Sequence, residues 1–265
     1  MRRLEYRNVT MRFANASGRA SVTAIEGVNF SVIDGEVVAL IGPSGCGKST
    51  LLNIGSGLYA PTAGETFVDG EPVHGPNRHV AFMLQKDLLL PWRTIAENVM
   101  LGAEIQGLGK KERFRRAREL LRGFNLSDFV DHYPHQLSGG MRQRVALART
   151  LAVDPSVLLL DEPFSAVDAQ TRIVLQRDLA QTLQRAGKTA LLITHDLLEA
   201  VILSNRVLVM SSRPGRIVDE IAIDIAHRDD PLRRRQDSKI AGYMSRLMDR
   251  LEIGRSDLQD ALQPA

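Results

Sequence analysis

The sequence holds a single cysteine, Cys46, in 265 residues. No disulfide can form within the chain, which suits a reducing compartment and leaves the fold to its apolar core. Long apolar runs are missing as well. A membrane helix takes roughly 18 uninterrupted apolar residues, and no stretch approaches that, so no membrane span is expected. The opening residues Met1-Arg2-Arg3-Leu4-Glu5 lack the apolar centre of a signal peptide. Excess charge is scarce: 34 Lys and Arg against 31 Asp and Glu leave +3, too mild to argue for nucleic acid unless focused. What remains is ordinary globular material, 44% apolar and 25% charged, which excludes wholesale disorder and collagen-like or disulfide-stapled scaffolds. Such a length suits one large α/β domain, or one domain with a subdomain.

The first 33 residues alternate apolar and polar positions (Leu4, Tyr6, Val9, Met11, Phe13, then Val28, Phe30, Val32) around a Gly/Ser-containing loop at 15–21, and predict antiparallel strands. Continuous apolar runs at 37–41, 157–160, 190–193 and 207–210, with a weaker one at 80–84, are of the kind a parallel sheet buries on both faces. Helical patterns at 142–153 and 171–185 fall between them, which argues for a mostly parallel, doubly wound sheet. Residues 66–73, turning at Asp69-Gly70, predict a hairpin at the edge of that sheet. Residues 88–153 carry almost no strand signal and look like a helical insertion.

The octet Gly42-Pro43-Ser44-Gly45-Cys46-Gly47-Lys48-Ser49, followed by Thr50, fits G-x-x-x-x-G-K-[ST] and lies between a strand-like run and a helical segment, as the motif requires. Its glycines let consecutive backbone N–H groups turn inward as an anion nest at a helix N-terminus. Lys48 adds a mobile charge for the β- and γ-phosphates, and the Ser49 hydroxyl can ligate Mg²⁺. Cys46 reads as a small filler rather than a nucleophile, since no base stands at a recognisable spacing. A second strand, 157–160, ends on Asp161-Glu162, at the carboxyl edge where open α/β sheets bind ligands. Asp161 is placed to hold Mg²⁺ through water, and Glu162 to orient and deprotonate an attacking water. These two elements predict an NTPase.

Leu137-Ser138-Gly139-Gly140-Met141-Arg142-Gln143-Arg144, ahead of Asp161-Glu162, resembles the signature motif of ATP-binding cassette (ABC) ATPases. Gln85 matches that family's Q-loop, Ser165-Ala166-Val167-Asp168 its D-loop, and His195 its switch histidine. The resemblance implies an α/β fold: a P-loop NTPase (RecA-like) core with an antiparallel β-subdomain and an inserted helical subdomain. It implies a cassette over residues 1–227, with the helical subdomain at 88–153, and a short helical appendage at 228–265. Implied too are ATP and Mg²⁺ as ligands and a head-to-tail homodimer, each phosphate loop facing the partner copy's Ser138, Gly139 and Gly140 across bound ATP. His195 would then contact the γ-phosphate, and Gln85 would sense Mg²⁺ and relay closure. Phe13 stands near the family's adenine-stacking aromatic, where the residues alone leave a core position equally open.

Three features depart from the pattern: Met141 replaces the commonest Gln, Phe13 replaces Tyr, and Gly55-Ser56-Gly57 implies a phosphate-loop helix that ends early or is pliant. Leu88-Leu89-Leu90-Pro91-Trp92-Arg93-Thr94-Ile95-Ala96-Glu97-Asn98-Val99, just after Gln85, and Ser212-Arg213-Pro214-Gly215-Arg216-Ile217 are similar to the nitrate/sulfonate/taurine-type importer ATPases. The implied partners are two membrane-spanning permease subunits and, indirectly, a periplasmic or extracellular solute-binding protein, at the cytoplasmic face of the inner membrane. No nucleic-acid partner is expected. The segment 88–92 reads either as a docking surface or as packing of the helical subdomain. Residues 110–122, with seven Lys/Arg against two Glu, read as a solvated helix face or as a contact with headgroups or a partner. His132 and His135 flank Pro134, which disrupts the alignment a metal pair would need. Other cassette roles stay open: a different solute, lipoprotein release, cell division, or soluble work on DNA or ribosomes.

Overall fold

A computed structural model describes residues 1–14, 21–165 and 167–252. Most of the loop expected at 15–21, Ala166 of the D-loop segment and the end of the C-terminal appendage lie outside the described residues.

Two long strands open the chain, β1 (Arg2–Ala14) and β2 (Ser21–Ile33), and pair antiparallel. The turn at Asp34-Gly35 feeds β3 (Val37–Ile41), and the phosphate-loop residues lead into α1 (Lys48–Gly55). A hairpin of β4 (Ala63–Val68) and β5 (Glu71–Pro72) follows, then β6 (Val80–Met83). Three helices come next, α2 (Ile95–Ile105), α3 (Lys110–Gly123) and α4 (Gly139–Leu151). The chain then alternates β7 (Val157–Asp161), α5 (Ala169–Arg185), β8 (Thr189–Ile193), α6 (Leu197–Leu203) and β9 (Arg206–Met210). It closes with β10 (Ile217–Ala222), α7 (Pro231–Arg234) and α8 (Ile240–Arg250).

All five apolar runs are strands of one sheet, ordered β10-β9-β3-β8-β7-β6, parallel except for β10 at its edge. The runs are continuous because both faces are covered. Val38, Leu40, Leu159 and Leu191 pack against Leu4, Tyr6, Ile25 and Val28 of the antiparallel layer, with Leu51 and Leu52 of α1 between the two sheets. On the opposite face, Leu158, Leu160 and Leu192 meet Leu175 and Leu179 of α5 and the helical insertion, while Ala39 and Ile41 meet α6.

The hairpin is where the structure corrects the reading. It belongs to a separate four-stranded antiparallel sheet, ordered β2-β1-β4-β5, rather than to the edge of the parallel one. β4 pairs along β1, Leu4 opposite Val68 and Tyr6 opposite Thr66, which drops Val68 into the core between the sheets. Arg3 fastens the turns, 2.8 Å from both Asp34 and Asp69.

The early end of α1 has a steric cause. The Tyr6 hydroxyl donates to the Leu51 carbonyl (2.8 Å), and a Cβ on Gly55 would run into that hydroxyl. Gly57, at φ 79°, then turns the chain where any side chain would meet the backbone of Gly75. These are close-approach glycines, so the helix is short but held on both sides.

Within the insertion, Ala117 and Leu121 of α3 face a core shared with Val99 and Val145. The opposite face is exposed and partly paired: Arg115 with Glu112 and Glu119, Arg116 with Glu112, and Arg113 with Glu104 of α2. At the C-terminal end, Leu247 is buried against Ala200, Val201 and Ile221. The fully buried Arg234 donates to the carbonyls of Ile202, Ser204 and Ile225, at 2.8 to 2.9 Å.

Candidate nucleotide site

The phosphate-loop residues connect the end of β3 to the start of α1, as the motif demands. Gly45 (φ 73°) and Gly47 (φ 106°) take the left-handed conformations that turn successive N–H groups to one side. Beside the loop is a cleft of about 430 Å³, walled by Ser44, Gly45, Gly47, Lys48, Ser49 and Thr50 on one side. Phe13, Val22 and Ala24 wall the other. Phe13 therefore lies at the cleft rather than in a core, 37% exposed, with its ring set edgewise to Tyr59 at 5.9 Å. Lys48 is buried, its ammonium donating to the carbonyls of Gly42 (2.7 Å) and Pro43 (3.0 Å). Cys46 packs into the core behind the loop with 1% exposure, as a filler should.

Asp161 ends β7 beneath this loop. Burial pushes its pKa up, the Ser49 hydroxyl donating to its carboxylate pulls back, and the Glu162 charge next door pushes up again. A hydroxyl and a desolvated carboxylate in contact form an oxygen donor set that fits a hard divalent cation, whose charge would relieve the burial cost. Glu162 holds φ 45°, a conformation non-glycine residues rarely adopt, fixed by its N–H donating to the Ile193 carbonyl at 3.0 Å. Oε2 of Glu162 accepts from Gln85 Nε2 (3.1 Å) and lies 3.2 Å from Nδ1 of His195. Residues from three distant stretches of chain thus converge on one carboxylate oxygen, while the His195 ring stays mostly exposed.

Ser138, Gly139 and Gly140 lie elsewhere. None of them lines the phosphate-loop cleft. Ser138 caps α4, its hydroxyl accepting from the N–H of Met141 (3.3 Å), and both Ser138 and Gly139 are exposed. Met141 itself packs partly against the helical core. The helix is wired to the Gln85 segment: Arg142 pairs with Asp87 at 3.0 Å, and Arg149 donates to the Asp87 and Leu88 carbonyls. Gln143 donates to the carbonyl of Pro163, next to Glu162. Asp168 caps α5, accepting from the N–H groups of Gln170 and Thr171.

The segment 88–92 divides. Leu89 is buried in the helical core, whereas Leu88 and Trp92 are 53% and 71% exposed. Buried Asn98 bonds the backbone of Leu90, Arg93 and Thr94 and so holds that loop in shape. His132 packs against Phe129 and His135 against Tyr133, so the two rings have different neighbours.

Val22, Ala24 and Arg213 of the cleft went unread in the sequence as site residues, and of these Arg213 alone is charged. Its guanidinium donates to the Gly45 carbonyl from Nη2 (2.9 Å) and Nε (3.2 Å) and lines the cleft beside Phe13. The turn that carries it is anchored to β2, where Gly215 N–H donates to Ala24 and Glu26 N–H donates to Gly215. The available signal was a cation in a Pro-Gly turn following a parallel strand, at the loop end where such sheets bind ligands.

Comparison with known proteins matches residues 25–165 to the ABC transporter family. The chain belongs to that family. The cassette is 49% identical over 213 residues to the taurine import ATP-binding protein TauB of Burkholderia pseudomallei, covering 80% of this chain and 82% of that one. It is 45% identical over 228 residues to an uncharacterised ABC transporter ATP-binding protein, MJ0412, of Methanocaldococcus jannaschii, covering 86% and 85% of the two chains. Among solved structures it is similar to the cassette MJ0796 in a dimeric post-hydrolysis state bound to ADP and phosphate. The TM-score there is 0.74 and identity 33%, over 84% of this chain and 99% of that one. The protein is thus an ATP-hydrolysing cassette, and among its described residues no helix is long and apolar enough to cross a membrane.

Proposed function

We propose that this cassette is the ATPase subunit of an importer for a small anionic solute such as taurine or another sulfonate. It acts as a head-to-tail homodimer on the cytoplasmic face of the inner membrane, docked on two permease subunits that a solute-binding protein serves. The observation that carries the dimer is the division of the site: the phosphate-loop cleft lacks any contribution from Ser138, Gly139 or Gly140, which cap an exposed helix end of their own. Two helix N-termini built for anions, one per copy, close on opposite sides of each triphosphate. Dimeric solved relatives and the TauB-type names support the same reading.

In this reading Gly42 to Thr50 cradle the β- and γ-phosphates, and Phe13 carries the adenine. Ser49 and Asp161, with Gln85 beside them, hold Mg²⁺, which neutralises phosphate charge when bound. Glu162 takes a proton from the attacking water, and His195, against the same carboxylate, meets the γ-phosphate. Loss of that phosphate removes the charge that holds the dimer closed. Exposed Trp92 and Leu88, on a loop wired through Asp87 to α4, supply the permease contact, so dimer closure reaches the membrane subunits.

Purification from membranes tests the transport assignment. Retention with a polytopic subunit at high salt, lost in Trp92→Ala, is expected. Co-sedimentation with ribosomes or DNA instead would overturn it.

A further inference from the structure

We propose that Glu199, Gln176 and Arg235 form a buried polar tie that positions the loop carrying His195, so that the C-terminal helix α7 acts on ATP hydrolysis through α5 and α6. The proposal rests on the reading of His195 as the γ-phosphate contact. Glu199 is 4% exposed and Gln176 1% exposed, two buried polar side chains facing each other. Gln176 Nε2 donates to Glu199 Oε2 at 3.0 Å, and the other end of the same amide accepts from Arg235 Nη2 at 3.1 Å. The amide is therefore used at both ends, a fixed coupler between a buried carboxyl and a cation at the C-cap of α7.

At its inner end the tie meets the switch loop on both sides of His195. The Thr194 hydroxyl lies beside the Glu199 carboxyl, where it favours the charged form, and accepts from the N–H of Asp196 (3.0 Å). Asp196 Oδ1 accepts from the N–H of Glu199 (3.1 Å), capping α6. The other charged groups facing Glu199 are Arg172 of α5, 3.9 Å from Asp196, and Asp196 itself. Thr194 thus faces the Glu199 carboxyl and Asp196 the backbone N–H of Glu199, and the ring between them reaches Glu162 at 3.2 Å. A buried carboxyl is costly to keep, and α6 could bury an apolar residue there without loss of packing. The arrangement assigns positioning roles to Glu199, Gln176 and Arg235, none of which touches nucleotide. It also gives the C-terminal helices a route to the catalytic histidine.

Steady-state hydrolysis by Arg235→Ala, Gln176→Leu, their double variant and Arg235→Lys tests this, alongside fluorescent-nucleotide binding and His195→Ala. Arg235 is only partly buried, so its alanine variant should fold, as circular dichroism will verify. Each single variant should lower kcat about fivefold with KM and nucleotide affinity within about twofold of the parent. The double variant should be no slower than the slower single one, because both cut the same tie. Arg235→Lys should recover most of the rate. Parent-like kcat in Arg235→Ala and Gln176→Leu, with His195→Ala inactive, would overturn the tie while sparing the switch reading. So would a loss of nucleotide affinity equal to the loss of kcat. Normal turnover by His195→Ala would remove the switch reading, and the proposal with it.

Discussion

Glu162 holds a left-handed backbone conformation so that its carboxylate meets Gln85 and His195 at one oxygen, and the N–H bond to Ile193 keeps it there. The arrangement gathers Gln85 and His195 around a single side chain. Arg213 grips the phosphate loop at the Gly45 carbonyl from a separate turn. Replacing it by alanine should weaken ATP and ADP binding alike, by roughly fivefold, since a charged donor to one exposed carbonyl is lost. Titration with a fluorescent nucleotide checks this; unchanged affinity would free Arg213 from the site. Glu199 predicts a pH effect. Burial pushes its pKa up from 4.5 to about 7, against the pull of Thr194 and Gln176 and the Arg172 charge, and with the push of Asp196. A group raised on folding contributes stability that is full below pH 4.5 and lost as pH rises through about 7. The loss is on the order of 3 kcal/mol between pH 4.5 and pH 8. Urea unfolding of Glu199→Gln should therefore show a flatter pH dependence than the parent across that window, and equal slopes would contradict the assignment.

At the scale of elements, α4 and α1 are two helix starts with different jobs. Ser138→Arg puts a large cation on the exposed cap of α4, away from the cleft, so a single copy should still bind ATP with near-parent affinity. Hydrolysis should fall by at least about a hundredfold, because the residue would face the other copy's phosphates. Lost ATP binding in the isolated variant would show that the cap belongs to its own chain's site. The elements were also what the sequence displayed best. Strands β3, β7, β8 and β9 each carry a run of at least four apolar residues because both faces are covered there, and that signal survives without any structure. The hairpin β4-β5 was legible as a hairpin but not by its sheet, since its partner is β1, chosen by long-range packing of Val68. The phosphate loop and Asp161-Glu162 announced themselves by spacing. Arg213 did not, because its contact with Gly45 spans 168 residues. Gln176 and Glu199 carry no motif in the sequence; only packing buries them.

For the whole molecule, two sheets and a helical insertion hold the phosphate-loop cleft apart from the exposed cap of α4, while Asp87, Arg142 and Arg149 connect α4 to the Gln85 segment. In the proposed dimer, a nucleotide that brings two copies together draws together the parts of each copy proposed to touch a membrane subunit. Glu162→Gln isolates this step, since it should keep the binding surfaces and lose only the base, lowering turnover by at least about a hundredfold. Small-angle scattering of that variant is the most direct measurement. The account predicts a monomer with ADP and a compact dimer with Mg-ATP, abolished by adding Ser138→Arg. A Glu162→Gln chain that stays monomeric in saturating Mg-ATP, with the parent hydrolysing at a rate per molecule independent of its concentration, would contradict it.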